Sequence, residues 1–170
     1  GDIYTNTIDN DGQASSNTMN NGSIDSNTLD NGQINSNTLE NYGNISSNTL
    51  NNGNISDNTV NGEYISDNTL NNGNISDNTL ENGQIHSNTL ENNGEISSNT
   101  LENRGQIYSN TLDSNSRISS NTMNYGYINS NTLNNGEISS NTFNYGYIYS
   151  NTLENDGQVS SNTLNNGSID

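Results

Sequence analysis

The stretch ISSNTLNNGNISDNTV, residues 45–60, contains two nearly identical copies of one sequence motif, which we call the phrase. Each phrase places an isoleucine five residues before a leucine or valine, and Asn and Thr stand directly before that second apolar residue. The phrase recurs along the whole chain, and self-similarity at a fixed period indicates a repeat architecture. We therefore expect each copy to pack mainly against its neighbours rather than around one globular interior.

The composition, taken without its order, is typical of a disordered chain. The 170 residues include no Pro, Cys or Trp, only 25% are hydrophobic, and 19 acidic residues face 2 basic ones. The burial of so few apolar side chains compensates only a small part of the conformational entropy that the chain loses on folding. The regular spacing of the few apolar residues favours an ordered fold instead. The absence of cysteine excludes a disulfide scaffold and a thiolate metal site.

Two apolar columns run through the sequence. The first contains Ile3, Ala14, Ile24, Ile34, Ile45, Ile55, Ile65, Ile75, Ile85, Ile96, Ile107, Ile118, Ile128, Ile138, Ile148, Val159 and Ile169. The second contains Ile8, Met19, Leu29, Leu39, Leu50, Val60, Leu70, Leu80, Leu90, Leu101, Leu112, Met123, Leu133, Phe143, Leu153 and Leu164. From the first column to the second the distance is always five residues, whereas the return takes five or six. A helix needs apolar spacings of three and four, so each repeat is predicted to form two short strands and two corners.

Within the consensus G-x-I-x-S-N-T-L-x-N, the alternation of a strand predicts which side chains face inward. We expect Gly, Ile and Ser inward on the first strand, and Asn, Leu and the second Asn inward on the second strand. Stacked inward asparagines can hydrogen-bond along a column as a ladder. The predicted ladder contains Asn6, Asn17, Asn27, Asn37, Asn48, Asn58, Asn68, Asn78, Asn88, Asn99, Asn110, Asn121, Asn131, Asn141, Asn151 and Asn162.

The residues at the outward positions indicate how many repeats form one coil, because their type differs between odd and even repeats. Numbered from Ile3, the odd repeats carry Tyr64, Tyr127 and Tyr147 before the isoleucine, and no even repeat carries a tyrosine there. This alternation favours coils of two repeats, which gives about eight coils and a rod of about 38 Å at the inter-strand spacing. Pairwise gene duplication could also produce the alternation, so a coil of one repeat stays open.

The repeat ISSNTLNNGNISDNT resembles those of right-handed parallel β-helix proteins, in which an I-x-x-N-x-I stretch turns a corner on an asparagine ladder. A weaker resemblance is to pentapeptide-repeat proteins, whose central apolar residue also recurs every five positions. The resemblance covers the whole chain and implies an all-β solenoid. Fold-level resemblance does not determine activity.

Enzymatic chemistry is not expected. Many β-helix proteins act on polysaccharides, but the basic residues here are Arg104 and Arg117 alone, His86 is the single histidine, and no catalytic group, cofactor or metal site can be named. A calcium ion between stacked Asp57 and Asp77 is a minor alternative, without the D-x-D-x-D-G spacing of a calcium loop.

A formal charge of −17 repels nucleic acid. No apolar run reaches the roughly 18 residues of a membrane span.

The threonines and tyrosines suggest two possible ligands. Rows of Thr on a flat face resemble ice-binding solenoids, and the candidate residues are Thr18, Thr28, Thr38, Thr49, Thr59, Thr69, Thr79, Thr89, Thr100, Thr111, Thr122, Thr132, Thr142, Thr152 and Thr163. The late tyrosines Tyr125, Tyr127, Tyr145, Tyr147 and Tyr149 would stack if a coil holds two repeats, as aromatic platforms for carbohydrate do.

Both termini are in phase with the repeat, so residues 1–170 are interpreted as one uncapped array that continues in a longer chain or stacks end to end. We expect a non-enzymatic, extracellular or surface-exposed structural protein that acts as a fibre, stalk or spacer. Ice binding and carbohydrate binding are the alternatives.

Overall fold

The computed structural model describes residues 2–4, 6–8, 12–62 and 64–170, with backbone alone at residues 4 and 8. In these residues the chain winds into a parallel β-solenoid without helix, and its strands form four parallel sheets. Every fourth strand joins the same sheet, so each coil has four sides. The predicted all-β solenoid is confirmed.

The strands are as short as the repeat predicts, with two to four residues each. The first sheet contains β1 (Ile3–Tyr4), β5 (Ser23–Asp25), β9 (Asn44–Ser46), β13 (Tyr64–Ser66), β17 (Gln84–His86), β21 (Gln106–Tyr108), β25 (Tyr127–Asn129), β29 (Gly146–Tyr149) and β33 (Gly167–Ile169). The second sheet contains β2 (Thr7–Ile8), β6 (Thr28–Asp30), β10 (Thr49–Asn51), β14 (Thr69–Asn71), β18 (Thr89–Glu91), β22 (Thr111–Leu112), β26 (Thr132–Asn134) and β30 (Thr152–Glu154).

The even repeats supply the other two sides. The third sheet contains β3 (Gln13–Ser15), β7 (Gln33–Asn35), β11 (Ile55–Ser56), β15 (Asn74–Ser76), β19 (Glu95–Ser97), β23 (Arg117–Ser119), β27 (Glu137–Ser139) and β31 (Gln158–Ser160). The fourth sheet contains β4 (Thr18–Asn20), β8 (Thr38–Glu40), β12 (Thr59–Asn61), β16 (Thr79–Glu81), β20 (Thr100–Glu102), β24 (Thr122–Asn124), β28 (Thr142–Asn144) and β32 (Thr163–Leu164).

The pairing register determines the size of the coil. Ile65 pairs with Ile45 on one side and Ile85 on the other, so stacked residues lie two repeats apart in sequence. The two-repeat coil is therefore confirmed, and the one-repeat coil is wrong. Each sheet contains one strand from each of eight successive coils, and β33 begins a ninth. Like residues lie over like residues, because every strand meets its own equivalent in the next coil.

The corners differ from the expected alternation. Ser16 and Asn21, the residues that follow the two strands of a repeat, have φ values of 57° and 52°, and their counterparts in later repeats, except Asn166, share this left-handed conformation. Ser and the second Asn were expected inward, but they lie exposed at corners. A residue with positive φ redirects the chain, so the in-and-out alternation of a strand does not continue through it. Asn and Asp tolerate this conformation better than most residues.

The six-residue returns are accommodated by a second left-handed residue. At these longer connections two successive residues have positive φ, namely Asn41 and Tyr42, Asn92 and Asn93, Asn103 and Arg104, Ser114 and Asn115, and Asn155 and Asp156. The extra residue is thus taken up outside the strands, and the register of the core is unchanged. This explains why the return connection tolerates an insertion.

The core consists of four continuous columns of aliphatic side chains, one from each sheet. From Ala14 to Ile148 every member is at most 6% exposed, and most are fully buried. Phe143 and Met123 replace leucine in the same column of the fourth sheet and stay buried. Each coil therefore contributes four apolar residues to a narrow interior that runs along the rod.

Candidate functional surfaces

The asparagine of each Asn-Thr pair forms the expected ladder. At Asn58, the side-chain nitrogen Nδ2 donates to Oδ1 of Asn78 in the next coil and to the backbone oxygen of Ile34 in the previous coil, both at 3.0 Å. Its own Oδ1 accepts from the backbone nitrogen and Nδ2 of Asn37. One buried side chain thus ties together three successive coils, which satisfies polar groups that burial would otherwise penalise.

Two such ladders run along the rod, because each coil contains two Asn-Thr pairs. One ladder lies where the first sheet turns into the second and contains Asn6, Asn27, Asn48, Asn68, Asn88, Asn110, Asn131 and Asn151. The other lies between the third and fourth sheets and contains Asn17, Asn37, Asn58, Asn78, Asn99, Asn121, Asn141 and Asn162.

The threonines form one outward row on each of the second and fourth sheets. Thr28 pairs with Thr49 in the second sheet, and Thr59 pairs with Thr79 in the fourth. The neighbouring outward row on each sheet carries Asn, Asp or Glu, so a sheet has a single hydroxyl row. From Thr18 onward, the Ser or Asp two residues before each Thr lies at a corner instead of on the same flat strand. Ice binding stays a prediction, and ice would have to bind to a single row of threonines on the second or the fourth sheet.

The tyrosines all lie on one side of the rod. All nine lie on strands of the first sheet or at the corner that leads into it from the fourth sheet, and we call this surface the tyrosine face. Its members are Tyr4, Tyr42, Tyr64, Tyr108, Tyr125, Tyr127, Tyr145, Tyr147 and Tyr149, together with His86; the Tyr4 side chain is outside the described part of the structure. The other three sheets contain no tyrosine.

The expected stacking of equivalent tyrosines is confirmed. The rings of Tyr125 and Tyr145 lie 5.0 Å apart between centroids and are inclined by 4°, and those of Tyr127 and Tyr147 lie 5.7 Å apart and are inclined by 10°. Tyr149 meets Tyr127 edge to face at 6.1 Å. The two stacks are parallel columns, one at the corner and one on the strand.

A second aromatic group lies on the tyrosine face around His86. Its ring stacks on Tyr108 at 4.9 Å and meets Tyr64 edge to face at 5.0 Å. Burial lowers the pKa of His86 from 6.5, and the opposing effect of the nearby Asp67 carboxylate is smaller. Burial also raises the pKa of Tyr108, with smaller contributions from Tyr64 and Asp67. Burial in the aromatic stack therefore favours the neutral form of the histidine.

We expect the stability of the wild-type chain to fall as the pH falls below 6.5, relative to a His86→Gln variant. A lowered pKa means that the unfolded chain binds more protons than the folded one in this range, so the folded state is disfavoured as the pH decreases. Urea midpoints of both proteins, measured above and below pH 6.5, test this difference. Identical pH dependence in the two proteins would show that His86 does not contribute.

Carboxylates are absent from most of the tyrosine face. The outward strand positions of its sheet from Asn44 to Tyr149 are occupied by Asn, Ser, Tyr, Gln and His only. The remaining sheets carry acidic side chains at equivalent positions, for example Glu91 on the second, Glu95 on the third and Glu102 on the fourth. In a chain of net charge −17, these outward strand positions are therefore uncharged, and Arg104 lies at the neighbouring corner.

The acidic residues in the described part of the chain do not gather into a group that could hold a metal ion. Asp57 and Asp77 occupy stacked corners, as expected from the two-repeat coil, but no group of three or more His, Asp or Glu in the described ranges could hold a metal ion. Arg117 lies in register between Glu95 and Glu137 on the third sheet. No helix in the same part of the chain is long and apolar enough to cross a membrane.

One feature of this surface could not be anticipated from alternation alone. Tyr125 and Tyr145 adopt φ values of 58° and 67° at corner positions that Asn21 and Asn82 occupy in other coils. The available sequence signal is that both tyrosines directly precede a glycine, as the corner asparagines do.

Comparison with known proteins identifies fold-level likeness only. No family model matches the chain, and no curated protein matches it. Among solved structures it is similar to QnrB1, a plasmid-mediated fluoroquinolone resistance protein, with 11% sequence identity, a TM-score of 0.34 and coverage of 91% of this chain and 94% of that chain. It is also similar to HetL, a pentapeptide repeat protein from the cyanobacterium Nostoc involved in heterocyst differentiation regulation, with 6% identity, a TM-score of 0.29 and coverage of 98% and 91%.

A third similar structure is the A-module of the mannuronan C-5 epimerase AlgE6 from Azotobacter vinelandii, with 11% identity, a TM-score of 0.24 and coverage of 98% of this chain and 57% of that chain. These likenesses bring no activity to the chain. The chain is a parallel β-solenoid with asparagine ladders, and the solved structures similar to it include a pentapeptide-repeat protein.

Proposed function

We propose that this protein is a non-enzymatic structural rod that serves as a spacer, stalk or fibre segment outside the cell. The observation that carries the proposal is the continuity of the four core columns and two asparagine ladders through successive coils. Each coil meets the next through the same contacts, so added repeats increase the length at constant cross-section. Length is the property that such an array can vary most simply.

The surface supports a durable and soluble rod. The large net negative charge opposes lateral association of rods. Arg104 and Arg117 are the only basic residues, so a protease that cleaves after Lys or Arg has only two target residues in the sequence. Both properties suit a protein exposed to an extracellular environment.

End-to-end contact belongs to the same proposal. Val159 and Ile169 are 39% and 47% exposed, whereas their counterparts Ile138 and Ile128 in inner coils are fully buried. A further coil stacked on this edge, from the same chain or from another copy, would bury these side chains and continue the backbone ladders.

A tandem array of residues 1–168 followed by residues 3–170, in which Ile3 of the second copy takes the place of Ile169 and keeps the repeat in phase, tests the rod. We expect small-angle X-ray scattering to give about twice the maximum dimension with an unchanged cross-sectional radius, because the spacing of about 4.8 Å per coil is additive. A more compact particle with a larger cross-section would contradict the proposal. Antibody labelling of intact cells tests the extracellular location, and we expect intact cells to be labelled. Labelling that requires permeabilised cells would contradict that location.

A further inference from the structure

The tyrosine face contains a groove that the rod itself does not require. It has a volume of about 360 Å³ and is lined by Tyr125, Tyr127, Tyr145 and Tyr147, with Asn166 and Gly167. The corner stack of tyrosines and the strand stack of tyrosines form most of its lining. Ligand sites commonly have volumes of about 300 to 1,000 Å³, with mostly aromatic or apolar walls and a few polar groups. The groove falls in this range.

The stacks leave aromatic surface open to a ligand. Parallel rings are in close face-to-face contact at a separation of about 3.5 to 4.0 Å, whereas the ring centroids in these stacks lie 5.0 and 5.7 Å apart. The rings of each stack therefore do not cover one another completely. Accordingly Tyr125, Tyr145 and Tyr147 keep 52%, 47% and 44% of their surface exposed.

The corner tyrosines are placed at a cost to the fold. Tyr125 and Tyr145 occupy the left-handed conformation, which is unfavourable for a bulky side chain and which Asn adopts at the same corner in other coils. Tyr42 and Arg104 share this conformation at equivalent corners, so the conformation alone does not distinguish Tyr125 and Tyr145. Here the two rings gain a stacking partner and form one wall of the groove.

The charge of the surface favours one class of ligand. No carboxylate or basic group lines the groove, which suits a neutral ligand with hydroxyl groups that Asn166 and the tyrosine hydroxyls can hydrogen-bond. Nucleic acid would place phosphates against a strongly acidic rod. A second copy of this chain carries the same net charge of −17, and repulsion between like charges disfavours it as the occupant.

We propose that the groove between the two tyrosine stacks binds a neutral polysaccharide, with sugar rings packed against the exposed tyrosine faces. This goes beyond the role of the rod, since a spacer without the groove would have the same coils and ladders. The binding site lies on one side of the rod, so tandem arrays with the same tyrosines would present it repeatedly along a line.

Titration calorimetry of the 170-residue chain with cellohexaose, mannohexaose and N-acetylchitohexaose tests this proposal, with hexagalacturonic acid as the anionic comparison. We expect at least one neutral oligosaccharide to bind and the anionic one not to bind. Tyr147→Ala should weaken binding about tenfold, because it removes one wall of the groove. Tyr42→Ala is the matched control, since Tyr42 is an exposed corner tyrosine outside the groove, and it should bind as the wild type does.

Several results would overturn the proposal. Failure of all three neutral oligosaccharides to bind would exclude the site for these glycans, and equal binding by Tyr147→Ala and the wild type would place the ligand elsewhere. A dimer detected by sedimentation that Tyr147→Ala abolishes would show that a second copy occupies the face. Circular dichroism of both variants confirms that the solenoid is intact.

Discussion

Replacing Asn58 with alanine is expected to destabilise the solenoid by about 4 kcal/mol, at about 1 kcal/mol for each hydrogen bond lost. The side chain is 1% exposed and takes part in four hydrogen bonds, two through Nδ2 and two through Oδ1. Its removal also leaves the buried backbone nitrogen of Asn37 without its acceptor, and it leaves Nδ2 of Asn37 with the backbone oxygen of Ala14 alone. Urea denaturation followed by circular dichroism measures the loss.

The matched control for this substitution is Asn61→Ala. Asn61 lies in the same coil on an exposed outward position of strand β12, so its substitution should change the stability by less than about 0.5 kcal/mol. Because repeats depend on their neighbours, Asn58→Ala should also raise amide hydrogen exchange around Asn37 and Asn78. Equal unfolding free energies of the two variants would mean that a ladder asparagine stabilises the fold no more than an exposed asparagine does.

Replacing Gly73 with alanine is expected to cost about 3 kcal/mol through overpacking. A Cβ atom at this position would lie 2.0 Å from the backbone oxygen of Gly53 in the coil below. Backbone cannot move aside as a flexible side chain can, so the coils would have to separate locally. Thermal and urea unfolding of the variant test this expectation.

Ser116 provides the comparison for Gly73, because it occupies the equivalent inward corner two coils later and already carries a Cβ. It is fully buried, and its hydroxyl donates to the backbone oxygen of Asp113 at 2.7 Å. The connection that leads to Ser116 is a six-residue return. Its residues Ser114 and Asn115 both have a left-handed backbone conformation. Ser116→Ala should therefore lose only about 1 kcal/mol, for one hydrogen bond. A cost for Gly73→Ala no greater than this would contradict the close packing of the corners.

The repeat spacing was sufficient to predict the sheets, because stacking in register is the simplest way for sixteen copies of one phrase to satisfy their backbone hydrogen bonds. The odd and even distribution of Tyr64, Tyr127 and Tyr147 correctly indicated four-sided coils. The corner residues were misplaced because strand alternation was extended through positions with positive φ, such as Ser16 and Asn21. The five-residue recurrence of Ser and Asn, residues that favour turns, was the overlooked signal.

The tyrosine groove was only partly predictable. Stacking of Tyr127 on Tyr147 follows from the register, because the two residues occupy the same outward position in neighbouring coils. The corner position of Tyr125 and Tyr145 does not follow from alternation, and the groove depends on the relative orientation of two stacks. Side-chain rotation on an exposed surface is set by local packing, which the repeat pattern does not specify.

The vertical stacking of two-repeat coils is tested most directly by distances between spin labels on the exposed Thr row of the second sheet. Labels at Thr28 and Thr111 are separated by four coils, and those at Thr28 and Thr152 by six. Double electron–electron resonance should therefore give narrow distributions near about 19 and 29 Å, at about 4.8 Å per coil. Distances near about 38 and 58 Å would indicate one repeat per coil, and broad distributions would indicate no stacking at all, so either result would contradict the structure described above.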